Sequence, residues 1–236
     1  MIKGIYFMSQ NMHSKVNNIE IVANNLANIN TTGFKRELPF SEIMERYKNS
    51  PVKQVTDFSQ GTLLFTSNPL DLALSGKGNF VLQNEKGEQE FTRNGRLRIS
   101  EEGFLVNEQG YKVIGKKGTI DFLDFQTRKD KSISISKNGE IKVGDTIIDD
   151  LKIVDLDNMD GLERKEGLNF ETVNGNFKEL NEGEFEIQQG YLEESNVNPV
   201  LEMQAMIDIN KDFEASQKMI NFLDISLEKA NEIGKV

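Results

Sequence analysis

Both ends of this chain carry a helical pattern of apolar residues, and a long stretch without that pattern separates them. Residues 1–32 and 198–232 are predicted to form helices, each with an apolar seam. The residues between them form short apolar runs broken by glycines, which is typical of short strands. Apolar helices at the ends of a self-contained β region indicate a subunit that assembles with copies or relatives of itself.

The N-terminal segment places apolar residues at intervals of three and four. Its seam consists of Ile5, Met8, Met12, Val16, Ile19, Ala23 and Leu26. Asparagines in the same segment are poor helix formers, so an isolated helix here is marginally stable and is expected to need packing partners. The alternative is an ordinary amphipathic helix that packs on its own domain. Gly33, where the segment ends, suits a left-handed backbone conformation.

The C-terminal segment begins with a strong helix start signal. Asn198 is a favoured N-cap residue and Pro199 fits the first helical turn. The heptad seam that follows consists of Met206, Ile209, Phe213, Ser216, Ile220, Leu223, Leu227 and Ala230. Met203, Met219 and Phe222 lie outside that line and widen the apolar surface, which suits a helix surrounded by several neighbours.

The middle of the chain predicts an all-β region of short strands, with runs such as 79–83, 111–114 and 133–135. The predicted fold class is therefore mixed α and β. In it the N- and C-terminal helices pair as a coiled coil around a central mainly-β domain of short irregular strands. The predicted boundaries are 1–34 and 195–236 for the terminal coiled-coil polymerisation domain, 35–57 for a connector, and 58–194 for the β domain.

Composition excludes several kinds of chemistry. A net charge of −10 argues against nucleic-acid binding, and the chain has no cysteine and one histidine, His13. The Gly-Lys-Gly at 76–78 lacks the rest of a phosphate-binding motif. The segment from Asp155 resembles a calcium loop, but Met159 and Gly161 break its geometry. We predict no enzyme, cofactor or metal; an enzymatic or ligand-binding alternative needs a convergent polar cluster in a pocket of the β domain.

Several motifs resemble those of the bacterial flagellar rod and hook protein family. They are ANNLANINTTGFKR at 23–36, GYLEESNV at 190–197 with Glu202 and Met203 after it, and shorter matches at 69–74, 78–80 and 91–95. The resemblance spans essentially the whole chain in the right order. Within the family, residues 66–71, 113–115 and 196–200 are most similar to proximal rod proteins, with distal rod proteins second. Asn79 and Leu97 replace aromatic residues that are common there.

The resemblance implies a structural subunit of the flagellar basal-body rod, the axial shaft that transmits torque. The alternative is a hook protein or another axial protein of the same family. The implied partners are the chain itself, homologous axial subunits and the flagellar type III export apparatus, without nucleic acid or membrane insertion. The N-terminus lacks a signal-peptide pattern. We therefore expect type III export, without a cleaved signal peptide, to the rod in the cell-envelope space.

The resemblance also implies which residues form the assembly interface. They are Ile5, Met8, Met12, Val16, Ile19, Leu26, Met206, Ile209, Phe213, Ile220, Leu223 and Leu227. Phe40 and Met44 fit the Phe-x-x-x-apolar element by which rod and hook substrates are recognised at the export gate. The terminal helices are expected to be disordered before assembly.

Overall fold

The computed structural model describes residues 2–39, 55–123, 132–156, 162–165, 168–172 and 177–233. Contacts divide the chain into two compact units. The helical unit comprises 1–29, 36–57 and 197–236, and the β unit comprises 30–35 and 58–196. The boundaries predicted for the polymerisation domain, the connector and the β domain stay predictions, because contacts within one chain do not test them.

Among the described residues, the helical unit contains the two predicted helices and one small sheet. Its elements are α1 (Ile2–Ala27), β1 (Glu37–Leu38), β2 (Val55–Thr56) and α2 (Pro199–Ile233). β1 and β2 pair antiparallel. The two helices contact each other, and Lys15 Nζ lies 2.6 Å from Asp212 Oδ2. Neither described helix is long and apolar enough to cross a membrane.

Helix α2 begins where the sequence predicted. The side-chain oxygen of Asn198 accepts hydrogen bonds from the backbone N–H groups of Val200 at 3.0 Å and Leu201 at 3.3 Å. Those amides have no carbonyl partner within the helix, so the Asn198 side chain satisfies them as an N-cap. The start signal read from Asn198 and Pro199 is confirmed.

Helix α1 ends at Ala27, so it is shorter than the predicted helix, which extended to residue 32. The Asn28 side chain donates to the Asn24 carbonyl at 2.9 Å and to the Asn24 side-chain oxygen at 2.8 Å. Such side-chain bonds offer the backbone an alternative to further helix. Gly33 has the left-handed backbone that was predicted, with φ of 71°, but it lies beyond the end of the helix.

The β unit consists of sixteen short strands in the described residues. They are β3 (Leu63–Phe65), β4 (Leu72–Gly76), β5 (Asn79–Gln83), β6 (Gln89–Thr92), β7 (Arg98–Ile99), β8 (Leu105–Val106), β9 (Lys112–Val113), β10 (Ile133–Ile135), β11 (Glu140–Val143), β12 (Thr146–Asp150), β13 (Ile153–Asp155), β14 (Leu162–Arg164), β15 (Asn169–Thr172), β16 (Lys178–Glu179), β17 (Phe185–Gln189) and β18 (Tyr191–Glu193). The predicted β-rich centre is confirmed.

The first strands of the β unit pair with its last strands, so pairing joins the two ends of this part of the chain. Every pairing among the described strands is antiparallel. The main sheet runs β14–β15–β6–β5–β9–β8–β7, with β13 beside β5 and β16 beside β13, and β10–β11–β12 form a separate sheet. The first strands pair with the last ones, since β3 pairs with β18 and β4 with β17. The unit is therefore closed by strands that are far apart in sequence.

The core of the β unit lies on both faces of β5. Phe80 and Leu82 belong to the larger apolar cluster, while Val81 belongs to a second cluster with Phe91 and Phe170. Successive side chains of a strand point to opposite faces. Burial on both faces explains why β5 reads as a continuous apolar run and not as an alternating one.

Candidate assembly surface and buried charge clusters

The residues predicted for the assembly interface lie along both helices. Most of them are half-buried: Met8, Met12, Ile19, Leu26, Met206, Ile209, Phe213, Ile220, Leu223 and Leu227. Val16 is exposed, and the Ile5 side chain lies outside the described residues. The export-element residues Phe40 and Met44 also lie outside them. The role of these residues between subunits stays a prediction, because a single chain does not test it.

A second apolar surface lies on α2, and we call it the outer face. It consists of Val200, Met203 and Ile207 near the start of the helix and Phe222 and Ile225 further along, each more than half exposed. At 3.6 residues per turn these five side chains share one side of the helix. Exposed apolar groups at helical spacing on one side indicate a protein-binding surface.

The outer face lies opposite the predicted seam. A period of 3.6 residues puts Ile209, Phe213 and Ile220 about half a turn away from Ile207 and Ile225. Met203 and Phe222 stand out in the sequence as apolar residues outside the seam, but Val200, Ile207 and Ile225 were not predicted to join them. The signal for these three residues is their helical spacing along a second line of α2.

The described part of α1 also carries exposed aromatic groups near its start. Tyr6 is 63% exposed and Phe7 is 75% exposed. The predicted seam passes through Met8 and Met12, so these rings widen the apolar surface beyond it. His13 is exposed and lies on a polar groove of about 840 Å³ with Asn17 and Glu20.

A buried polar cluster in the helical unit joins α1, β1 and the first turn of α2. The Asn25 amide donates to the Glu37 carbonyl at 2.8 Å, and its oxygen accepts from the Glu37 backbone N–H at 3.0 Å. The same amide donates to Glu202 at 3.3 Å, and Arg36 Nε pairs with the other Glu202 oxygen. The Glu202 carboxylate is fully buried, so its charge depends on Arg36 and Asn25.

A buried charge cluster in the β unit centres on Glu193. Its Oε1 atom accepts hydrogen bonds from Lys35 Nζ at 2.6 Å and from the Gly61 backbone N–H at 2.9 Å. Its Oε2 atom accepts from Arg93 Nη1 at 3.4 Å. Lys35 also donates to the Ser59 carbonyl at 2.6 Å, and the Lys35 and Glu193 side chains are both 0% exposed. One carboxylate therefore serves two buried cations.

Arg93 is the outer member of this Glu193 cluster. Its Nη2 atom donates to the Gly76 carbonyl at 2.7 Å. Burial lowers the pKa of the Arg93 guanidinium, while the negative charges of Glu193 and Asp155 act in the opposite direction. The positive charge of Arg93 is therefore costly to bury and depends on these carboxylates.

Residues 30–35, which we call the anchor segment, are held by the β unit. The Gly33 backbone N–H donates to the Glu193 carbonyl at 2.7 Å. The Arg164 guanidinium lies 4.5 Å from the Phe34 ring centroid and 5.3 Å from that of Phe170, and it also donates to the Lys35 carbonyl. These contacts combine cation–π attraction with hydrogen bonding, so the anchor segment is an integral part of this unit.

Sequence reasoning missed both buried clusters. The available signal was the charge of Lys35 and Arg36, the last two residues of the N-terminal signature, and of Glu193 and Glu202 in the C-terminal one. None of these four residues belongs to an apolar seam. Which cation pairs with which carboxylate is not readable from the sequence, because the partners lie far apart along the chain.

The enzymatic or ligand-binding alternative requires a polar cluster in a pocket of the β unit. One surface pocket of about 420 Å³ is lined by polar groups that include Lys137, Glu184 and Glu186. A hydrogen bond from Lys137 to Glu186 raises the pKa of Lys137. The Asn181 backbone N–H and then Lys178 lower the pKa of Glu184. Both shifts hold the groups in their charged forms, away from the near-neutral pKa that general acid–base catalysis needs. The described residues contain no group of three or more potential metal ligands.

Protein-family comparisons agree with this architecture. The chain matches the models "Flagella basal body rod protein" at 15–35, "Flagellar hook protein FlgE/F/G D1 domain" at 73–143 and "Flagellar basal body rod FlgEFG protein C-terminal" at 188–233. The first and last matches fall on α1 with the anchor segment and on β18 with α2. The middle match covers β5 and the strands around it.

Individual relatives cover nearly the whole chain. It is 30% identical to the flagellar basal-body rod protein FlgF of Buchnera aphidicola subsp. Schizaphis graminum, over 100% of this chain and 99% of the relative. It is 32% identical to FlgF of Caulobacter vibrioides, over 92% of each chain. It is 28% identical to the rod protein FlgG of the same Buchnera, over 99% of this chain and 100% of the relative.

A closed β unit and a helical unit with an exposed apolar face are typical of a structural subunit. The chain belongs to the flagellar basal-body rod protein family.

Proposed function

We propose that this chain is a structural subunit of the flagellar basal-body rod and polymerises through its terminal helices into the axial shaft that transmits torque. The observation that carries the proposal is the outer face of α2, where five large apolar side chains are exposed on one side of the helix. Family membership supports a structural role over a catalytic one. The relatives named FlgF support the proximal rod, and those named FlgG make the distal rod the second candidate.

The helices would act at two levels. Within one protomer, the seams of α1 and α2 pack as a coiled coil. Between protomers, the outer face packs against the helices of neighbouring axial subunits. Burying one large apolar side chain contributes about 1.5–3 kcal/mol before the cost of ordering is subtracted. A contact between the outer face of one subunit and a different surface of the next subunit is head-to-tail, and repeated contacts of this kind build a helical filament.

The proposed partners follow from this assembly. They are further copies of the chain, homologous rod and hook subunits, and the type III export apparatus that would deliver the chain from the cytoplasm without a cleaved signal peptide. Phe40 and Met44 are the proposed export element. The net charge of −10 supports the expectation that nucleic acid is not a partner. The proposed location is the rod in the cell-envelope space.

A hook protein or another axial protein is the second candidate function. The observation that favours it is the match of residues 73–143 to a family model described as a flagellar hook protein domain. Both candidates use the helices in the same way and differ in position along the axis.

The proposal is tested in the source bacterium by replacing the chromosomal copy with a Phe222→Ser, Ile225→Ser double variant. We expect the variant to be made but to be missing from purified hook–basal bodies. The matched control is Ile147→Ser in the β unit, because Ile147 and Ile225 are 51% and 52% exposed. Wild-type incorporation of the double variant would contradict the proposal. Immunogold labelling along the axis of wild-type particles separates rod from hook.

A further inference from the structure

We propose that the buried residues at one end of the helical unit form a folding nucleus for both helices, which we call the helix base. It holds the end of α1 and the start of α2 together in a single chain, and the rest of each helix pairs outward from it. The buried residues of the helix base are Asn18, Val22, Asn25, Glu37, Leu38, Val55, Val197 and Glu202. The helix base concerns the folding of one chain, so it does not depend on the proposed function.

Burial along the two helices is confined to this end. In α1 the buried residues are Asn18, Val22 and Asn25, and no described residue of the helix before Asn18 is buried. In α2 the first turn contains the buried Glu202, and no described residue of the helix after it is buried. Helices of marginal intrinsic stability depend on such tertiary packing. Both helices are therefore stabilised more strongly at the helix base than further along.

Hydrogen bonds connect the chain segments that meet at the helix base. The Asn25 side chain exchanges two bonds with the Glu37 backbone and also donates to the Glu202 carboxylate, so it joins α1 to both β1 and α2. Arg36 pairs with the other Glu202 oxygen, and its carbonyl accepts from the Asp57 backbone N–H beside the β1–β2 pair. Arg36 and Glu37 have further contacts, which add to this connection.

The helix base also sets the alignment of the two helices. Asn25 contacts Glu202, and Lys15 Nζ lies 2.6 Å from Asp212 Oδ2. The second contact lies ten residues before the first on α1 and ten residues after it on α2, so the helices run antiparallel. Ten residues are about 15 Å on each helix. Pairing outward from the helix base therefore brings Lys15 to Asp212 without a shift of either helix.

The outer parts of both helices lack this support. They are the residues of α1 before Asn18 and those of α2 after Glu202, and their exposed side chains include Phe7, Ile207 and Phe222. Exposed apolar side chains contribute little to the stability of a single chain, because water still surrounds them. We expect the outer parts to open often while the helix base stays closed. If the proposed function holds, neighbouring subunits order mainly the outer parts.

Amide hydrogen exchange with mass spectrometry on the isolated full-length chain tests the helix base. We expect protection to fall along both helices with distance from it. Peptides that cover 18–27 and 199–206 should exchange about tenfold or more slowly than peptides that cover 4–12 and 214–230. Both of the slower peptides should remain less protected than β5, because the helix base is much smaller than the core of the β unit.

The decisive variant is Asn25→Leu, which removes the side-chain bonds to Glu37 and Glu202. We expect it to reduce the protection of the 199–206 peptide by about tenfold, although residue 25 belongs to the other helix, because a hydrogen bond to a buried carboxylate is lost. The matched control is Asn17→Leu, the same replacement at an exposed position of α1. We expect this control to leave the 199–206 peptide unchanged.

A second variant approaches the same contact from α2. Glu202→Leu leaves the bonds between Asn25 and Glu37 in place and should reduce the protection of the 18–27 peptide. Glu202→Gln keeps an oxygen that accepts from the Asn25 amide, so it should lose less protection than Glu202→Leu. This order would not be expected if the carboxylate only filled space, because glutamine and leucine both fill the site.

Two results would overturn the helix base. One is uniform protection along each helix of the wild-type chain, since a nucleus at one end requires a gradient. The other is a loss in Asn25→Leu that is confined to the 18–27 peptide, which would show that the two helices are not held together there. If a variant loses its helices altogether, the gradient in the wild type still decides. Incorporation of the Phe222→Ser, Ile225→Ser variant tests the proposed function separately.

Discussion

The β unit and the helical unit bury their apolar side chains to very different extents. In the β unit Phe80, Leu82 and Val113 are 0% exposed. In the helical unit Val200 is 71% exposed and Phe222 is 69% exposed. The apolar side chains of the β unit pack against one another within a single chain. The apolar side chains on the outer face of α2 remain exposed to solvent.

The same comparison holds for how each unit uses charge. Both units bury a glutamate against a cation, Glu193 with Lys35 in one and Glu202 with Arg36 in the other. In each unit the buried charge pair joins segments that are far apart in sequence. The outer face of α2 differs from these clusters, because its large apolar side chains stay exposed, which is typical of a protein-binding surface.

Truncation of one phenylalanine in each unit compares how much a buried ring and an exposed ring contribute to the free energy of unfolding. Phe80→Ala empties a core site and should reduce the free energy of unfolding by about 3–5 kcal/mol. Phe222→Ala removes an exposed ring and should change it by less than about 0.5 kcal/mol. Urea denaturation of the purified variants measures both. A comparable loss for Phe222→Ala would mean that the outer face is already covered in the monomer.

Glycine substitutions examine how tightly the anchor segment is held. An added Cβ at Gly33 would lie 2.4 Å from the Asn94 backbone nitrogen, and its φ is 71°. We expect Gly33→Ala to cost about 3 kcal/mol, from the left-handed backbone and the clash together. Gly183 has φ of 91° with open space around it, so Gly183→Ala should cost about 1 kcal/mol. Equal midpoints in thermal denaturation would show that the anchor segment is not tightly packed.

Phe222→Ala should reduce incorporation into the basal body although it leaves the stability of the monomer almost unchanged. When wild-type chains and tagged Phe222→Ala chains are co-expressed, we expect the variant to be depleted in purified basal bodies by roughly tenfold or more, as for a truncated interface anchor. Phe65→Ala is the control, because Phe65 is a 62% exposed phenylalanine of the β unit. Quantitative mass spectrometry gives the ratios. Equal depletion of both variants would remove the distinction between the units.

The cap of α2 should have a smaller effect that is confined to the helical unit. Asn198→Ala removes the acceptor for two helix N–H groups and should cost about 1 kcal/mol of helix stability. Asn198→Ser keeps a capping oxygen and should recover most of it. Circular dichroism at 222 nm during urea denaturation reports the change. An Asn198→Ser protein as unstable as Asn198→Ala would argue against the cap.

The smallest effect concerns acid titration of the β unit. The Asn181 backbone N–H and Lys178 hold the pKa of Glu184 below its ordinary value in the folded state. This contribution is present above the unfolded pKa of Glu184 and is lost as the pH falls through its folded pKa. Carboxyl NMR titration should give a lower midpoint in folded than in urea-unfolded protein, and Lys178→Met should narrow the difference. Identical midpoints would contradict the contacts.

Much of the fold was predictable because local signals agree with tertiary structure. Asn198 and Pro199 begin a helix that the structure confirms, and the run around Phe80 is a strand. The prediction was wrong at the end of α1, where periodicity continues but the side chain of Asn28 bonds back to Asn24. Apolar spacing carries no information about such competing hydrogen bonds.

The site was predictable only in part. The two apolar seams are visible from local spacing, and their role between subunits stays a prediction. The clusters around Glu193 and Glu202 were not predictable, because each depends on residues brought together by the closed topology. Lys35 and Arg36 are adjacent in sequence, yet one pairs with Glu193 in the β unit and the other with Glu202 in the helical unit. No periodicity assigns neighbouring charges to different partners.

One chain buries the core of the β unit, whereas the outer face of α2 stays exposed, and we propose that neighbouring subunits cover it. Hydrogen exchange with mass spectrometry can compare the isolated full-length monomer with the chain in basal bodies. We expect rapid exchange of α1 and α2 in the monomer beside a protected β4–β6 region, with strong protection of both helices after assembly. Helices that are as protected in the monomer as β5, and unchanged by assembly, would contradict it.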